Sequence, residues 1–332
     1  MGARISDIEF YLPETVITNQ ALEKEFADWS AEKIEEKLGI RERHVVKPDE
    51  TSLDLAIMAS EKLLLRHDKK SIDFIILCTQ TPDYYLPTSA CILQNKLGLP
   101  TNAGAIDFNQ GCSGFIYGLA LAKGLIASAT ATNILLVTAE TYTKFIHPKD
   151  RANRTIFGDG AAVTLIQRTE RDGILEFVLG TDGSGANNLI IPNGGSRNKY
   201  NPSCSEITDT SGNTRTNNHL YMNGPEIFNF TIEAVPKLFT DTLAKNNTKL
   251  DDIDYVVFHQ ANKYMVEYLR KKIKIPPEKF HIDMLKTGNT VSSTIPIALK
   301  NCINSKVIGP GKKVLLLGFG VGYSWGGTVV EW

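Results

Sequence analysis

Short apolar runs recur along the chain and alternate with longer stretches of helical periodicity. Four of the runs have the length and composition of buried strands: 74–78 (FIILC), 133–140 (NILLVTAE), 255–259 (YVVFH) and 313–320 (KVLLLGFG). Strands that alternate with helices are typical of a sheet that is covered by helices on both faces. The pattern therefore predicts an α/β fold.

The strand pattern also occurs twice. The run SIDFIILC at 71–78 resembles DIDYVVFH at 252–259, and NILLV at 133–137 resembles KVLLL at 313–317. Two pairs that share an offset of about 180 residues indicate a duplicated unit, whose equivalent elements meet at the centre of the molecule.

The duplication divides the chain into three parts. We expect an N-terminal half at 1–180 that carries the nucleophile and a C-terminal half at 224–332. Residues 181–223 connect them, and from 183 onwards this segment is rich in Asn, Ser, Thr and Gly. Such a composition is too polar for a core, so it predicts a long surface loop or a lid.

A candidate nucleophile lies in the N-terminal half. In DFNQGCSGFIYGLALAKGLIASA, Cys112 follows a glycine turn and precedes a long Ala/Gly/Leu-rich helix. The unpaired N–H groups and the dipole at a helix start favour a thiolate over a thiol, and the thiolate is the nucleophilic form. We therefore predict that Cys112 is reactive.

Two residues of the C-terminal half are candidates to act with this thiol. His259 ends the strand YVVF, and Asn289 lies in the loop KTGNTVSSTIP, which begins a helix. The repeat offset carries Cys112 onto Ser292 of the same loop, so the duplication brings these segments together. A thiol, an imidazole and an amide suit nucleophilic catalysis with two neutral hydrogen-bond donors.

The glycine-rich segment GFGVGYSWGG at 318–327 follows the last long apolar run. It lacks the Lys-Ser/Thr of a phosphate-binding loop, so that interpretation is weak. Closely spaced glycines let backbone N–H groups approach a substrate carbonyl. We therefore predict an oxyanion hole formed by the N–H groups of Cys112 and Val321.

Composition narrows the function classes. The chain has 332 residues, a formal net charge of −1 and five cysteines without a CxxC pair. These features argue against a whole-protein nucleic-acid binder, a zinc site and a disulfide scaffold. No stretch reaches the roughly 18 apolar residues of a membrane helix, and the N-terminus does not resemble a signal peptide. We expect a cytoplasmic protein that contacts neither nucleic acid nor membrane.

Several motifs, spread over the whole chain in one order, then identify a resemblance. They are GIRERH (39–44), GCSGF (111–115), FGDGA (157–161), MNG (222–224), HQAN (259–262), GNTVSSTIP (288–296) and GVGYSWG (320–326). Because it carries these motifs in this order, the sequence resembles the β-ketoacyl-acyl-carrier-protein synthase III family of the thiolase superfamily.

The resemblance implies a thiolase-like fold: duplicated halves with five-stranded mixed sheets, in an α-β-α-β-α arrangement, usually as a homodimer. It also implies that Cys112 takes an acyl group from a coenzyme A or carrier-protein thioester. His259 and Asn289 then stabilise the enolate formed when malonyl carrier protein loses carbon dioxide, and the enolate attacks the acyl-Cys carbonyl. No metal and no cofactor beyond these substrates is implied.

The resemblance implies binding residues as well. Arg151 stands where the family contacts the nucleotide of coenzyme A, and Asn262 of HQAN belongs to the substrate site. Leu86 stands where the family reaches across the dimer and limits acyl-chain length. The family's adenine-stacking Trp corresponds here to Lys33, with Trp29 one turn earlier.

The carrier-protein contact departs from the family pattern in a similar way. Tyr264 replaces an Arg that follows HQAN in the family. Basic residues further along the same predicted helix could supply a substitute patch for an acidic carrier protein. These residues are Arg270, Lys271, Lys272 and Lys274.

Other enzyme families share parts of this pattern. Hydroxymethylglutaryl-CoA synthase needs a glutamate ahead of the nucleophile, and none lies between Lys62 and Gly111. Biosynthetic thiolase needs a second cysteine, but this chain has Val321 and Tyr323 in that loop. Both enzymes are therefore disfavoured. A chalcone-synthase-like polyketide enzyme remains open. So does a specialised synthase III homologue that transfers the acyl group to a hydroxyl or amine. A papain-like protease shares the order Cys, His, Asn, but the duplication disfavours it, and a scaffolding protein would be expected to lose a member of the triad.

Overall fold

The computed structural model describes residues 2–26 and 29–332. The strands, in chain order, are β1 (Gly2–Tyr11), β2 (Thr15–Thr18), β3 (Glu42–Val45), β4 (Phe74–Cys78), β5 (Gly104–Phe108), β6 (Asn133–Glu140), β7 (Gly160–Thr169), β8 (Val178–Thr181), β9 (Leu189–Ile190), β10 (Ile207–Thr208), β11 (Thr214–Arg215), β12 (Tyr221–Met222), β13 (Tyr255–Phe258), β14 (Phe280–His281), β15 (Lys313–Gly320) and β16 (Ser324–Glu331). The α-helices are α1 (Asn19–Glu25), α2 (Ala31–Leu38), α3 (Ser52–Leu64), α4 (Ser89–Leu97), α5 (Gly114–Ala127), α6 (Arg151–Arg154), α7 (Gly224–Lys245), α8 (Lys263–Ile273) and α9 (Thr294–Asn304).

Within this described part, two five-stranded sheets have the same internal order. The first runs β1-β7-β6-β4-β5 and the second runs β8-β16-β15-β13-β14. In the first, β4 is parallel to β5 and β6, and β6 is antiparallel to β7. In the second, β13 is parallel to β14 and β15, and β15 is antiparallel to β16. The duplication predicted from the apolar runs is therefore present in the sheets.

Helices fill the space between the sheets and cover their outer faces. Phe115 and Leu119 of α5 and Ile295 and Leu299 of α9 belong to one buried core that also contains residues of both sheets. Helices α3 and α4 pack on the outer face of the first sheet, and α7 and α8 on the second. This confirms the predicted α-β-α-β-α layers, and it places the starts of α5 and α9 at the centre.

The polar segment at 183–223 is mostly exposed and contains two short strand pairs, β9 with β12 and β10 with β11. The boundary at residue 180 stays a prediction, since β8 crosses it and pairs with β16 of the second sheet. None of the helices described for this chain is both long and apolar enough to span a membrane.

Candidate active site

Cys112, His259 and Asn289 line one cavity of about 380 Å³. Each follows a strand or precedes a helix at the centre of the duplicated fold: Cys112 lies before α5, His259 after β13, and Asn289 before α9. The duplicated topology therefore brings together the three residues that the sequence singles out.

Cys112 lies directly beneath the glycine-rich segment. It is buried, and a Cβ atom added to Gly320 would lie 2.8 Å from its sulfur. Ser113 lies at the N-cap position of α5, and its hydroxyl lies 2.7 Å from the hydroxyl of Ser324, which ties the nucleophile turn to the start of β16. Only glycine at position 320 allows this approach of the two segments.

Burial raises the pKa of Cys112 to about 12, and a hydrogen bond from the backbone N–H of Val321 acts in the opposite direction. The helix start alone predicted a thiolate, so the structure corrects that expectation: in this apolar cavity the resting group is a thiol. The Val321 N–H points at the sulfur, and its role as an oxyanion donor stays a prediction.

His259 is a neutral imidazole. Burial lowers its pKa to about 3, so the ring carries no charge at physiological pH. Its Nδ1 atom lies 2.7 Å from the hydroxyl oxygen of Thr294, the first residue of α9. This contact fixes the ring plane and leaves Nε2 to act on the contents of the cavity.

Two backbone hydrogen bonds hold Asn289 in place, one through its N–H and one through its carbonyl. Its N–H donates to the carbonyl of Ile156 at 2.9 Å, and its own carbonyl accepts from Gly158 N–H at 3.1 Å. Its side-chain Oδ1 accepts from the N–H of Val291 at 2.9 Å. With Oδ1 engaged, the Nδ2 amide is the group that can donate into the cavity. Val291 itself has φ 55, a costly conformation for a β-branched residue.

Sequence comparisons identify the family. Two family models match the chain: 3-oxoacyl-[acyl-carrier-protein] synthase III at residues 106–183, and the C-terminal part of the same synthase at residues 243–332. A β-ketoacyl-[acyl-carrier-protein] synthase III of Clostridium perfringens is 38% identical over 333 residues, which cover 99% of each chain. The chain belongs to the 3-oxoacyl-[acyl-carrier-protein] synthase III family.

Solved structures agree with this assignment. A 3-oxoacyl-(acyl-carrier-protein) synthase III is 49% identical, with a TM-score of 0.98 and complete coverage of both chains. A 3-oxoacyl-(acyl-carrier protein) synthase of Burkholderia xenovorans is 34% identical, with a TM-score of 0.92 and coverage of 99% and 94%. The fold class and the assignment to acyl-transferring condensing enzymes are confirmed, and the alternative enzymes weighed from sequence are not favoured.

Two further predicted residues of this synthase III relative line the same cavity. Asn262 uses its Oδ1 to accept from the N–H of Met265 at 2.9 Å, which caps α8. Tyr264 lies at the mouth with 63% of its surface exposed, and its ring is 5.8 Å from that of Phe228. The two rings pack against each other and form an aromatic rim at the mouth.

The remaining predicted binding residues do not line the cavity. Leu86 is 82% exposed, in the loop before α4. Lys33 is exposed on α2. The guanidinium carbon of Arg151 lies 5.7 Å from the centre of the Trp29 ring, so an aromatic ring does face this arginine, although it comes from a different position than the family pattern predicts.

The predicted basic run on α8 is only partly available to a partner. The guanidinium of Arg270 donates to Glu267 and to the carbonyl of Ile275. Lys272 donates to the carbonyl of Ile232 at 2.8 Å. Lys271 and Lys274 are exposed at the end of the helix. Across residues 2–26 and 29–332, no group of three or more acidic, histidine or cysteine side chains is arranged to hold a metal ion.

Glu140 is a central residue that the sequence reasoning missed. This fully buried carboxyl group ends β6 and accepts hydrogen bonds from the N–H of Gln80 and the hydroxyls of Thr81 and Ser292. Burial raises its pKa to about 8. A charged residue at the end of a buried strand in NILLVTAE was the available signal, since strand ends face the centre of this fold.

Proposed function

We propose that this protein transfers an acyl group from a thioester to Cys112 and condenses it with malonyl carrier protein, giving a β-ketoacyl carrier protein for fatty-acid or related biosynthesis. The observation that carries the proposal is the convergence of Cys112, His259 and Asn289 on one largely apolar cavity. Cytoplasmic location is part of the proposal, since a nucleophilic thiol must stay reduced.

In the first half-reaction, Cys112 loses its proton to Nε2 of His259, and its sulfur attacks the carbonyl carbon of the acyl thioester. The backbone N–H groups of Cys112 and Val321 stabilise the tetrahedral oxyanion. The carbon–sulfur bond of the donor breaks, and the donor thiol leaves with the proton. The raised pKa of Cys112 makes this proton transfer necessary.

In the second half-reaction, malonyl carrier protein loses carbon dioxide by cleavage of its carboxyl carbon–carbon bond. The resulting enolate oxygen accepts hydrogen bonds from His259 and from Nδ2 of Asn289. The enolate carbon attacks the acyl-Cys112 carbonyl, the carbon–sulfur bond of the acyl-enzyme breaks, and the departing thiolate takes up a proton from solvent to restore the thiol. Neutral donors suit this step because a charged acid would protonate the carbanion, and the lowered pKa of His259 keeps the ring neutral.

Intact-protein mass spectrometry after incubation with acyl-CoA and acyl carrier protein tests the nucleophile. The wild-type protein should gain the acyl mass and Cys112→Ala should not. Cys91→Ala, which removes an exposed thiol, should still be acylated. Asn289→Ala should retain acylation but release little carbon dioxide from malonyl carrier protein, whereas His259→Ala, which removes the base for Cys112, should lose both steps. Acylation of Cys112→Ala at wild-type rate would reject the proposal.

We propose that Arg151 and Trp29 hold the nucleotide end of coenzyme A. Their cation–π contact offers a flat, positively charged surface of the kind that binds a nucleotide. Trp29→Ala should raise KM for acyl-CoA several-fold and leave KM for acyl-pantetheine unchanged. Glu36→Ala, at an exposed position of the neighbouring helix α2, is the control and should change neither. Equal effects on both donors would show that Trp29 does not contact the nucleotide.

We propose that the acidic carrier protein docks beside the cavity mouth, on Tyr264 and the exposed lysines of α8. Lys271→Glu with Lys274→Glu should raise KM for malonyl carrier protein and reduce its dependence on salt. Lys306→Glu, at an exposed lysine beyond α9, is the control. An unchanged KM for the double variant would place the carrier protein elsewhere.

We propose that a second copy of the chain covers the loop before α4. Tyr84, Tyr85 and Leu86 are all exposed there, beside β5 at the edge of the first sheet. Adjacent exposed apolar side chains and an unpaired strand edge are typical of an interface. Sedimentation should give a dimer mass, and Leu86→Asp should shift the protein towards monomer.

A further inference from the structure

Tyr323 lies two residues after Val321, the residue whose backbone N–H contacts the Cys112 sulfur. Residues 321–323 join β15 to β16, and we call them the β15–β16 turn. The side chain of Tyr323 is almost completely buried, yet it does not line the active-site cavity. Contacts that fix Tyr323 therefore limit the movement of Val321 without touching the contents of the cavity.

The ring of Tyr323 fits closely between neighbouring elements. Its centre lies 4.1 Å from that of the Phe230 ring in α7, and the two ring planes are 8° apart, so the rings are stacked. Gly185, near the start of the connecting segment at 181–223, also lies against the ring. A Cβ atom added to Gly185 would overlap the ring carbons of Tyr323. The ring therefore has little freedom to move relative to α7 and the connecting segment.

The hydroxyl of Tyr323 bonds to the same two elements. It accepts a hydrogen bond from Nδ2 of Asn188 at 2.6 Å and donates to the backbone carbonyl of Glu226, in the first turn of α7, at 3.4 Å. Asn188 is itself held, because its backbone carbonyl accepts from the N–H of Asn223, the N-cap of α7, at 2.8 Å. The hydroxyl thus connects the β15–β16 turn to the corner where the connecting segment meets α7.

Val321 is held from two directions along the backbone. Its carbonyl accepts from the hydroxyl of Ser324 at 2.8 Å, and that hydroxyl also contacts Ser113 beside the nucleophile. On the other side, the N–H of Tyr323 donates to the carbonyl of Asp182 at 2.6 Å, and the N–H of Asp182 donates back at 2.9 Å. The direction of the Val321 N–H therefore depends on how firmly Tyr323 is anchored.

We propose that Tyr323 is a positioning residue for the oxyanion hole: its hydroxyl bonds to the connecting segment and to α7 keep the N–H of Val321 directed at the acyl carbonyl on Cys112. The inference rests on the proposed function, because the oxyanion forms only when Cys112 takes an acyl group. Tyr323 exchanges no proton and acts only through Val321. A displaced donor stabilises the developing charge less, so the rate of acylation falls while binding of the thioester is unchanged.

The test is the rate of Cys112 acylation by acetyl-CoA, followed by intact mass at several donor concentrations. Tyr323→Phe keeps the stacked ring and removes the hydroxyl, and Asn188→Ala removes the donor to that hydroxyl. Each should lower the limiting rate roughly fivefold, as for the loss of about one hydrogen bond, and leave the half-saturating concentration of acetyl-CoA unchanged. The double variant should be no slower than the slower single variant, since all three lack the same bond.

Two glycines of the connecting segment provide a matched pair that leaves Tyr323 itself intact. Gly183 and Gly185 belong to the same short helical turn, Gly183–Asn188. Gly185→Ala pushes a methyl group against the Tyr323 ring, whereas a Cβ atom added to Gly183 has no neighbour within 4 Å. Gly185→Ala should lower the limiting rate at least as much as Tyr323→Phe does. Gly183→Ala should acylate at the wild-type rate.

An unchanged limiting rate in both Tyr323→Phe and Gly185→Ala would overturn the inference and leave the proposed function intact. Effects of Tyr323→Phe and Asn188→Ala that multiply in the double variant would do the same, because the two side chains would then act separately. A raised half-saturating concentration at an unchanged limiting rate would also overturn it, since Tyr323 would then serve donor binding. Failure of the wild-type protein to acylate Cys112 would overturn both.

Discussion

The Nδ1 atom of His259 lies 2.7 Å from the hydroxyl oxygen of Thr294, and both side chains are buried. The single hydroxyl proton can go to either of two acceptors: Nδ1 of His259, or the carbonyl of Val291 at 3.1 Å. In the first arrangement Nε2 of the imidazole carries a proton and is a donor. In the second, Nδ1 carries the proton and Nε2 is an acceptor. The proposed reaction uses both forms, one in each half.

Thr294→Val should therefore separate the two half-reactions. The change keeps the shape of the side chain but removes the hydroxyl. The backbone carbonyl of Val291, which already hydrogen-bonds the imidazole, is then the acceptor left for Nδ1–H, and Nε2 remains an acceptor. We expect acylation close to the wild-type rate and a loss of roughly tenfold in malonyl decarboxylation, the value of about one hydrogen bond. Acyl mass and carbon dioxide release measure the two steps.

Thr294→Ser is the control for this prediction. It restores the hydroxyl without the methyl group and should recover decarboxylation. If Thr294 had only a structural role, Thr294→Val would lower the rates of both half-reactions together. The serine variant would then show the same rates as the valine variant.

Gly320 sets how closely the glycine-rich segment approaches the nucleophile. In Gly320→Ala, the new Cβ would lie 2.7 Å from Cβ and 2.8 Å from Sγ of Cys112, so the sulfur must move. We expect acylation to fall by roughly a hundredfold, as for other displacements of about 1 Å at a reacting atom. Mass spectrometry of the acyl adduct, in samples quenched at successive times, measures the loss of acylation rate.

Gly124→Ala, in the helix that follows Cys112, provides the comparison. A Cβ atom there has no neighbour within 4 Å. This variant should acylate normally and gain about 0.5 to 1 kcal/mol in the free energy of unfolding, because alanine is the better helix former. A comparable loss of acylation in both variants would mean that the close approach at position 320 is not the cause.

The sequence predicted most of this architecture because the apolar runs repeat and because strand ends and helix starts converge in a duplicated α/β fold. Cys112, His259 and Asn289 were found in this way. The state of Cys112 was not, because the pKa of a thiol depends on how deeply it is buried, which only the packed cavity fixes. Glu140 was also missed, since its hydrogen bonds join it to Gln80 and Ser292, which lie 60 and 152 positions away in the chain.

The two arginines of GIRERH show the same limit. Arg41 pairs with Glu35 at the surface, whereas Arg43 is completely buried and donates to the carbonyls of Ile17 and Thr155 and to the side chain of Asn19. Arg43→Ala leaves these buried acceptors without a donor, so it should lower the free energy of unfolding by about 3 kcal/mol or more. Urea denaturation measures this.

Arg41→Ala is the matched variant, two residues earlier in the same motif. Its ion pair is solvent-exposed, so its loss should change the free energy of unfolding far less than the loss of Arg43 does. Similar losses for the two variants would contradict the assignment of Arg43 as the structural arginine of the motif.

Glu140 should make stability depend on pH. Burial raises its pKa in the folded protein to about 8, from 4.5 for an ordinary glutamate. Between these values the folded state binds more protons than the unfolded state, so the free energy of unfolding falls as pH rises from 4.5 to 8 and levels off above that. The full difference is on the order of 5 kcal/mol.

Glu140→Gln removes this titration while keeping a group that can bond to the hydroxyls of Thr81 and Ser292. We expect urea denaturation to show similar stabilities for both proteins at pH 5 and a more stable variant at pH 9. Asp159, whose pKa burial raises to about 6, acts in the same direction but is present in both proteins, so it cancels in the difference. Ser292→Ala removes a hydrogen bond to Glu140 but not the carboxyl group, and should retain the pH dependence. If the difference in free energy of unfolding between wild type and Glu140→Gln stays constant from pH 5 to 9, this carboxyl group does not titrate in that range.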